Sequence, residues 1–228
     1  MSILHPSPNL NPSPAQVLAI MRLFKVPVRL YRGWDTKGRD WRGPGGSQGL
    51  MGVVIHHTAT AAAGNAPSLQ WCATAYSKPA ANWLVGRDGT SWLLAAGSCW
   101  HSGNGGPWPA IGVPIAGNVG HFSLAGVEIE DPGRGDTITA EQQSAVARIC
   151  AAYQWLAGWG WERVITHGDW TDAGKWLTDH AGAPSPKGPY VGRKIDTLRA
   201  YYPARFWRDK AHRAGHELGL GGHEMRLG

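Results

Sequence analysis

The chain has 228 residues, of which 43% are hydrophobic and 17% are charged, so it can bury a core and wholesale disorder is excluded. The 22 Lys and Arg outnumber the 16 Asp and Glu, so the net charge is +6, which favours an anionic partner: nucleic acid, anionic lipid or an anionic cell wall. No dense basic run is interleaved with aromatic residues and no apolar run reaches roughly 18 residues, so neither nucleic-acid binding nor membrane insertion is indicated.

Residues 1–50 are predicted to form an N-terminal extension of one helix and a long loop. Ser13 suits the N-cap of this helix, Pro14 suits its first position, and Gln16 completes a capping box. The residues before Ser13 are polar and rich in proline, without the cationic start and apolar core of a secretory signal. We therefore expect the protein to be made in the cytoplasm.

The rest of the chain alternates between short apolar segments and capped helical segments. Apolar or β-branched runs predict strands, and Asp88-Gly89 predicts a hairpin turn between two of them. The predicted strands are 52–56, 82–85, 91–94, 124–129 and 164–167, and the predicted helices are 67–76, a segment behind the capping box of Thr139 and Gln142, and 195–202. This alternation predicts an α/β fold with a central mixed β-sheet flanked by helices.

The cysteine pattern indicates thiols without a structural partner. Cys72, Cys99 and Cys150 are odd in number and have no Cys-x-x-Cys spacing, which argues against a disulfide framework or a four-sulfur zinc site. We predict that all three are buried and reduced.

Histidines at the ends of two predicted strands are candidate metal ligands. His56 and His57 end one strand and His167 ends another, where side chains open onto the loops that usually build sites. A catalytic zinc ion needs three protein ligands and one open position. A single histidine at a strand end is more often a hydrogen-bonded structural residue, so the positions alone do not decide between these roles.

Five stretches between residues 52 and 196 resemble, in order, the motifs of the type 2 N-acetylmuramoyl-L-alanine amidases, a family that includes phage amidases and peptidoglycan recognition proteins. They are VIHHTA at 54–59, NWLVGRDGT at 82–90, WHSG at 100–103, GVEI at 126–129, and THGD at 166–169 together with GRKID at 192–196. The resemblance implies an amidase fold, with a zinc amidase catalytic domain over residues 51–207. Residues 208–228 are basic and contain His and Gly, a composition that predicts a C-terminal tail or linker.

The resemblance also implies a ligand set for Zn²⁺. The set consists of His56, His167 and Asp196. His57 is the alternative to His56, which is preferred because the ligand in this family directly follows two apolar strand residues. Asp179 and His180 lie nearer to His167 and compete with Asp196, which belongs to the more specific motif.

Two further residues are assigned catalytic roles by the resemblance. Glu128 matches the family's Gly-Ile-Glu strand and is the candidate general base. Glu130 is the alternative, since residues two apart on a strand share a face. Lys194 shares a face with Asp196 if that segment is extended, and its cation would stabilise the oxyanion. The alternative for Lys194 is a solvated surface lysine.

Three residues are candidate contacts for the substrate. The substrate implied by the resemblance is peptidoglycan, cut at the amide between N-acetylmuramic acid and L-alanine. His101 would contact the substrate or the oxyanion, with a structural role in its loop as the equal alternative. Asn82 would donate to the substrate, and the face of Trp100 suits sugar rings.

We expect a monomeric hydrolase of bacteriophage origin, an endolysin that is made in the host cytoplasm and acts on the cell wall after release. A bacterial autolysin or recycling amidase is the nearest alternative. A non-catalytic peptidoglycan-recognition module is a second alternative, and it is disfavoured because such modules tend to lose a metal ligand. A DNA-binding protein is supported by net charge alone.

Overall fold

The computed structural model describes residues 10–38, 40–41, 49–76, 78–102, 120–133, 137–172 and 202–219. Within these residues, six strands run in chain order as β1 (Val28–Leu30), β2 (Gly52–His57), β3 (Trp83–Val85), β4 (Ser91–Leu93), β5 (Leu124–Ile129) and β6 (Val164–Thr166). The helices are α1 (Pro14–Leu23), α2 (Leu69–Thr74), α3 (Gly120–Ser123), α4 (Ala140–Ala157), α5 (His167–Asp172) and α6 (Ala204–Glu217), with a 3₁₀ turn at Trp161–Arg163.

The strands form one mixed sheet in the order β1-β4-β3-β5-β2-β6. The hairpin pair β3 and β4 is antiparallel, as the turn at Asp88-Gly89 predicts, and the other pairs are parallel. The predicted α/β class with a mixed central sheet is therefore confirmed. Strand β2 lies between β5 and β6, so both of its edges are hydrogen-bonded.

Two helices begin where their capping residues predict. The Ser13 hydroxyl accepts from the Gln16 backbone while the Gln16 side chain accepts from the Ser13 backbone. Thr139 and Gln142 form the same reciprocal pair at the start of α4. Helix α4 ends at Gly158, whose φ of 70° lies in the left-handed region that glycine adopts without strain.

The two faces of the sheet have different coverings. One face packs against α1, α4 and α6 and holds the large core, with Val53 and Ile55 of β2 pointing into it. The opposite face carries Val54 and His56, because successive side chains of a strand alternate. Smaller clusters around Trp170 and α2 cover parts of this second face, and the candidate site lies there.

The structure corrects the sequence analysis in three places. Residues 208–217, predicted as tail or linker, belong to α6, whose Trp207, Ala211 and Ala214 lie on the core side at helical spacing. The domain boundary predicted after residue 207 thus falls inside a helix. Residues 168–172, to which no helix or strand was assigned from the sequence, lie in α5, and β1 was not predicted. The predicted helix 195–202 lies almost entirely outside the described residues.

The expectation for the cysteines is met. The three cysteines are buried and free. Among the described helices, none combines the length and the apolar character that crossing a bilayer would require.

Candidate active site

Three histidine rings meet on the face of the sheet opposite α4. His56 lies near the end of β2 and is 3% exposed, and His167 begins α5 directly after the neighbouring strand β6. Their ring centroids are 4.5 Å apart. The loop after β4 brings His101 to the same place, with its ring centroid 5.2 Å from that of His56. The predicted ligands His56 and His167 are thus adjacent in space although 111 residues separate them in sequence.

All three imidazoles are held in their neutral form. Burial, reinforced by the neighbouring His167, lowers the pKa of His56 well below its usual value. Burial, with His121 nearby, lowers the pKa of His101 to about 3, and burial with His57 nearby lowers that of His167 to about 4. Neutral imidazoles have a nitrogen lone pair available, which is the form that binds a metal.

Glu128 stands beside His56 in the sheet. The two residues are register partners across β2 and β5, so their side chains leave the same face. The Oε2 atom of Glu128 is buried and accepts no hydrogen bond from the described residues. Burial, with the neighbouring Glu130 carboxylate, raises the pKa of Glu128 to about 8. A carboxyl group with these properties can hold or release a proton near neutral pH.

Glu130 has a different environment from Glu128. Its Oε1 accepts from the hydroxyls of Thr58 (2.9 Å) and Ser68 (3.0 Å), and its Oε2 accepts from the Ser68 backbone N–H (3.0 Å). The side chain is 1% exposed. Glu130 therefore ties the segment after β2 to the start of α2, and these bonds occupy its two oxygens.

We expect Glu130→Ala to lower the free energy of unfolding by about 2–4 kcal/mol, because three hydrogen bonds to a buried carboxylate are lost. The measurement is urea unfolding at neutral pH. Glu141→Ala is the matched control, since Glu141 is an exposed glutamate in the first turn of α4 and its loss should cost less than about 1 kcal/mol. Equal effects of the two substitutions would contradict the role given to Glu130.

His57, the alternative ligand, lies on the other face of β2. Its Nδ1 is 3.6 Å from Oδ1 of Asp131. Although burial alone would raise the pKa of Asp131, hydrogen bonds from His57, Thr137 and the Gly133 backbone lower it. This arrangement pairs His57 with a carboxylate, although its ring lies near enough to His56 and His167 to help lower their pKa values.

The predicted substrate contacts fall into two environments. Asn82 is fully buried: its amide nitrogen donates to the carbonyls of Ala95 and Gly97, and its oxygen accepts from the Gly126 N–H. Its amide therefore joins β3, β5 and the loop after β4, which gives it a structural role. Trp100 is 38% exposed, and the Lys78 ammonium lies 5.9 Å from its ring.

Four of the sequence candidates lie outside the described residues: Asp179, His180, Lys194 and Asp196. Within the described ranges, no group of three or more His, Cys, Asp and Glu side chains has the geometry of a metal site. The described part of the chain therefore includes two of the three predicted ligands, His56 and His167, and all three ligand assignments stay predictions.

The sequence was compared with models of known protein families. A model of the N-acetylmuramoyl-L-alanine amidase family, type 2, matches residues 47–181, which is more than half of the chain. The chain belongs to this family. Membership supports a peptidoglycan amidase activity, and it confirms the resemblance seen in the sequence motifs. The match includes His56, Glu128 and His167 and ends before Lys194.

One solved structure is similar to this amidase. It is the hydrolase AmiA from Staphylococcus aureus in complex with its ligand, with a TM-score of 0.49 and 15% identity over 86% of this chain and 85% of that one. A search of curated proteins found no match.

The contact between His101 and His56 was not predicted from the sequence. Their rings touch although 45 residues separate them. The WHSG motif marked His101 as noteworthy, but the motif carries no information about which side chain lies opposite it.

Glu128 should contribute stability to the metal-free amidase that is lost as the pH rises from about 4.5 to about 8, and the net loss should be visible above about pH 6.5. The folded pKa of Glu128 is raised above its ordinary value of 4.5, so the folded state holds a proton that the unfolded chain releases over this interval. The buried histidines act in the opposite sense below about pH 6.5, where the unfolded chain binds the protons.

Glu128→Gln should remove the alkaline loss. Urea unfolding in the presence of a chelator should show this variant gaining at least about 1 kcal/mol on the wild type between pH 5 and pH 8.5, since one pKa unit corresponds to about 1.4 kcal/mol. A stability difference that is constant over this range would contradict the raised pKa.

Proposed function

We propose that this amidase is a zinc enzyme that hydrolyses the amide between the lactyl group of N-acetylmuramic acid and the first L-alanine of the stem peptide. The observation that carries the proposal is the meeting of His56, His167 and Glu128 on one face of the sheet. Two buried, neutral imidazoles are suitable ligands for Zn²⁺, and Asp196 would complete the set.

When bound, zinc would polarise the scissile carbonyl and lower the pKa of a water molecule toward about 7. Glu128 would take a proton from the attacking water and later give it to the amine of L-alanine as the carbon–nitrogen bond breaks. Lys194 would stabilise the negative charge that develops on the carbonyl oxygen. Trp100 would contact a sugar ring at the exposed rim.

The test is digestion of purified peptidoglycan followed by mass spectrometry and elemental analysis of the protein. We expect free stem peptides with an L-alanine N-terminus, about one zinc ion retained at this site per chain, and loss of activity on chelation with recovery on adding zinc. Binding of muropeptides without release of peptides would instead support a recognition module.

We further propose that the amidase acts as a bacteriophage endolysin on intact cell walls, with its net charge of +6 favouring adhesion to anionic wall polymers. The comparison is between insoluble sacculi and soluble muropeptides as substrates. Faster cleavage of sacculi that weakens with salt supports this setting, because salt screens surface charges. A preference for soluble muropeptides would point to a recycling amidase.

A further inference from the structure

A chain of hydrogen bonds connects a backbone carbonyl to the imidazole of His56 through His101. The Nε2 atom of His101 lies 2.7 Å from the Leu124 carbonyl oxygen. The Nδ1 atom of the same ring lies 3.1 Å from Nε2 of His56. Both histidines are buried, at 9% and 3% exposure, so solvent does not compete for these contacts.

The carbonyl determines where each proton lies. A carbonyl oxygen only accepts, so Nε2 of His101 must carry a hydrogen and donate it. In a neutral ring the other nitrogen then has a lone pair, so Nδ1 of His101 accepts. The hydrogen between the two rings must therefore come from Nε2 of His56, which leaves Nδ1 of His56 without a proton.

The backbone beneath His101 is shaped to hold its ring. A Cβ at Gly126 would lie 2.5 Å from Cγ of His101, so only glycine leaves room for the imidazole there. The Gly126 N–H is in turn held by the Asn82 side chain at 2.9 Å. The ring of His101 is thus seated directly on β5, at an angle of 79° to the ring of His56.

We propose that His101 is a positioning residue that fixes the tautomer and orientation of His56 and so presents Nδ1 of His56 to the metal. The inference rests on the proposed function in one respect, the assignment of His56 as a zinc ligand. It departs from the sequence hypothesis that His101 contacts the substrate. A ligand nitrogen that is already free of its proton binds metal without a prior tautomer change, and such outer contacts typically contribute 10–100-fold in affinity.

The first experiment reads the tautomers in the metal-free protein by ¹⁵N NMR of the histidine rings at neutral pH. We expect the wild type to show His56 protonated at Nε2, and His101→Ala to show a mixture of tautomers at His56. His101→Asn should restore the wild-type pattern in part, because its side-chain oxygen can accept in place of Nδ1. A wild-type His56 protonated at Nδ1 would overturn the proposal.

The second experiment measures zinc affinity by competition with a chelator. We expect His101→Ala to weaken binding about 10–100-fold and His101→Asn to weaken it less. His121→Asn is the matched control, because the His121 ring neighbours His101 at 6.2 Å and its contact with Ser102 needs only an acceptor. It should bind zinc as the wild type does.

The outcomes distinguish the role of His101 from the proposed zinc-enzyme function. If the wild type binds zinc at His56 while His101→Ala binds equally tightly, the role of His101 is refuted and the zinc enzyme stands. If His56→Ala retains zinc, the proposed function itself fails. Coupling between bound ¹¹³Cd and Nδ1 of His56 supports the proposal, whereas coupling to Nδ1 of His101 would make His101 a ligand and overturn it.

Discussion

Replacing Glu128 with glutamine is expected to lower the turnover of peptidoglycan amide hydrolysis by about 100- to 10,000-fold, the range that general acid–base groups contribute. Glutamine has nearly the same shape but cannot exchange a proton at its side chain. The Oε2 atom of Glu128 is buried and accepts no hydrogen bond from the described residues, so none of these residues competes with a water or a leaving amine for it. The measurement is release of stem peptide per folded enzyme.

Glu130→Gln is the control for this experiment. It changes the neighbouring carboxylate on the same face, whose oxygens are engaged by Thr58 and Ser68. We expect it to reduce stability while turnover per folded molecule stays within about tenfold of the wild type. If Glu130→Gln abolishes turnover and Glu128→Gln does not, the two assignments must be exchanged.

Replacing His167 with alanine is expected to abolish zinc retention and with it hydrolysis, with affinity falling on the order of 1,000-fold or more. Losing one of three ligands leaves an incomplete set for the ion. His56→Ala should behave in the same way, because the two rings lie side by side. Zinc content after dialysis against a weak chelator is the measurement.

His57→Ala distinguishes a specific loss from general damage in this experiment. It removes the adjacent histidine, which faces Asp131 on the other side of β2. We expect this variant to retain zinc. Loss of zinc in His57→Ala with retention in His56→Ala would reverse the choice between the two.

The third ligand can be decided by the same assay. Asp196→Ala should release zinc, whereas Asp179→Ala should not. The family match ends at residue 181, so it includes Asp179 and does not reach Asp196, which makes this pair of variants informative. Retention of zinc by Asp196→Ala would move the third ligand to Asp179 or His180.

Local signals predicted the elements of the fold well where one segment contains all the information. The capping pairs at Ser13 and Thr139 involve residues three apart, so sequence alone places the starts of α1 and α4. Strand β1 has three residues and is defined by its pairing with β4, a partner that the sequence does not reveal. Helix α6 could have been predicted from the sequence but was not, since Trp207, Ala211 and Ala214 recur at helical spacing.

At the candidate site, too, some features were predictable from the sequence and others were not. Strand alternation predicted that Glu128 and Glu130 share a face. It could not distinguish their roles, because the groups that engage Glu130 lie 62 and 72 residues away in the chain. The contact of His101 with His56 was not predictable for the same reason, since 45 residues separate the two. Roles that depend on contacts distant in sequence require the folded structure.

Helix α6 has a practical consequence for anyone who recombines lytic modules. A segment chosen from the family match would stop at residue 181 and omit this helix. Such a segment would lack the buried indole of Trp207. It would also lack the Arg208 guanidinium, which donates hydrogen bonds to the Val164 and Glu162 carbonyls. The apolar side of α4 that packs against α6 would then be exposed to solvent, and an exposed apolar surface promotes aggregation during expression. A transplantable unit should extend through Glu217.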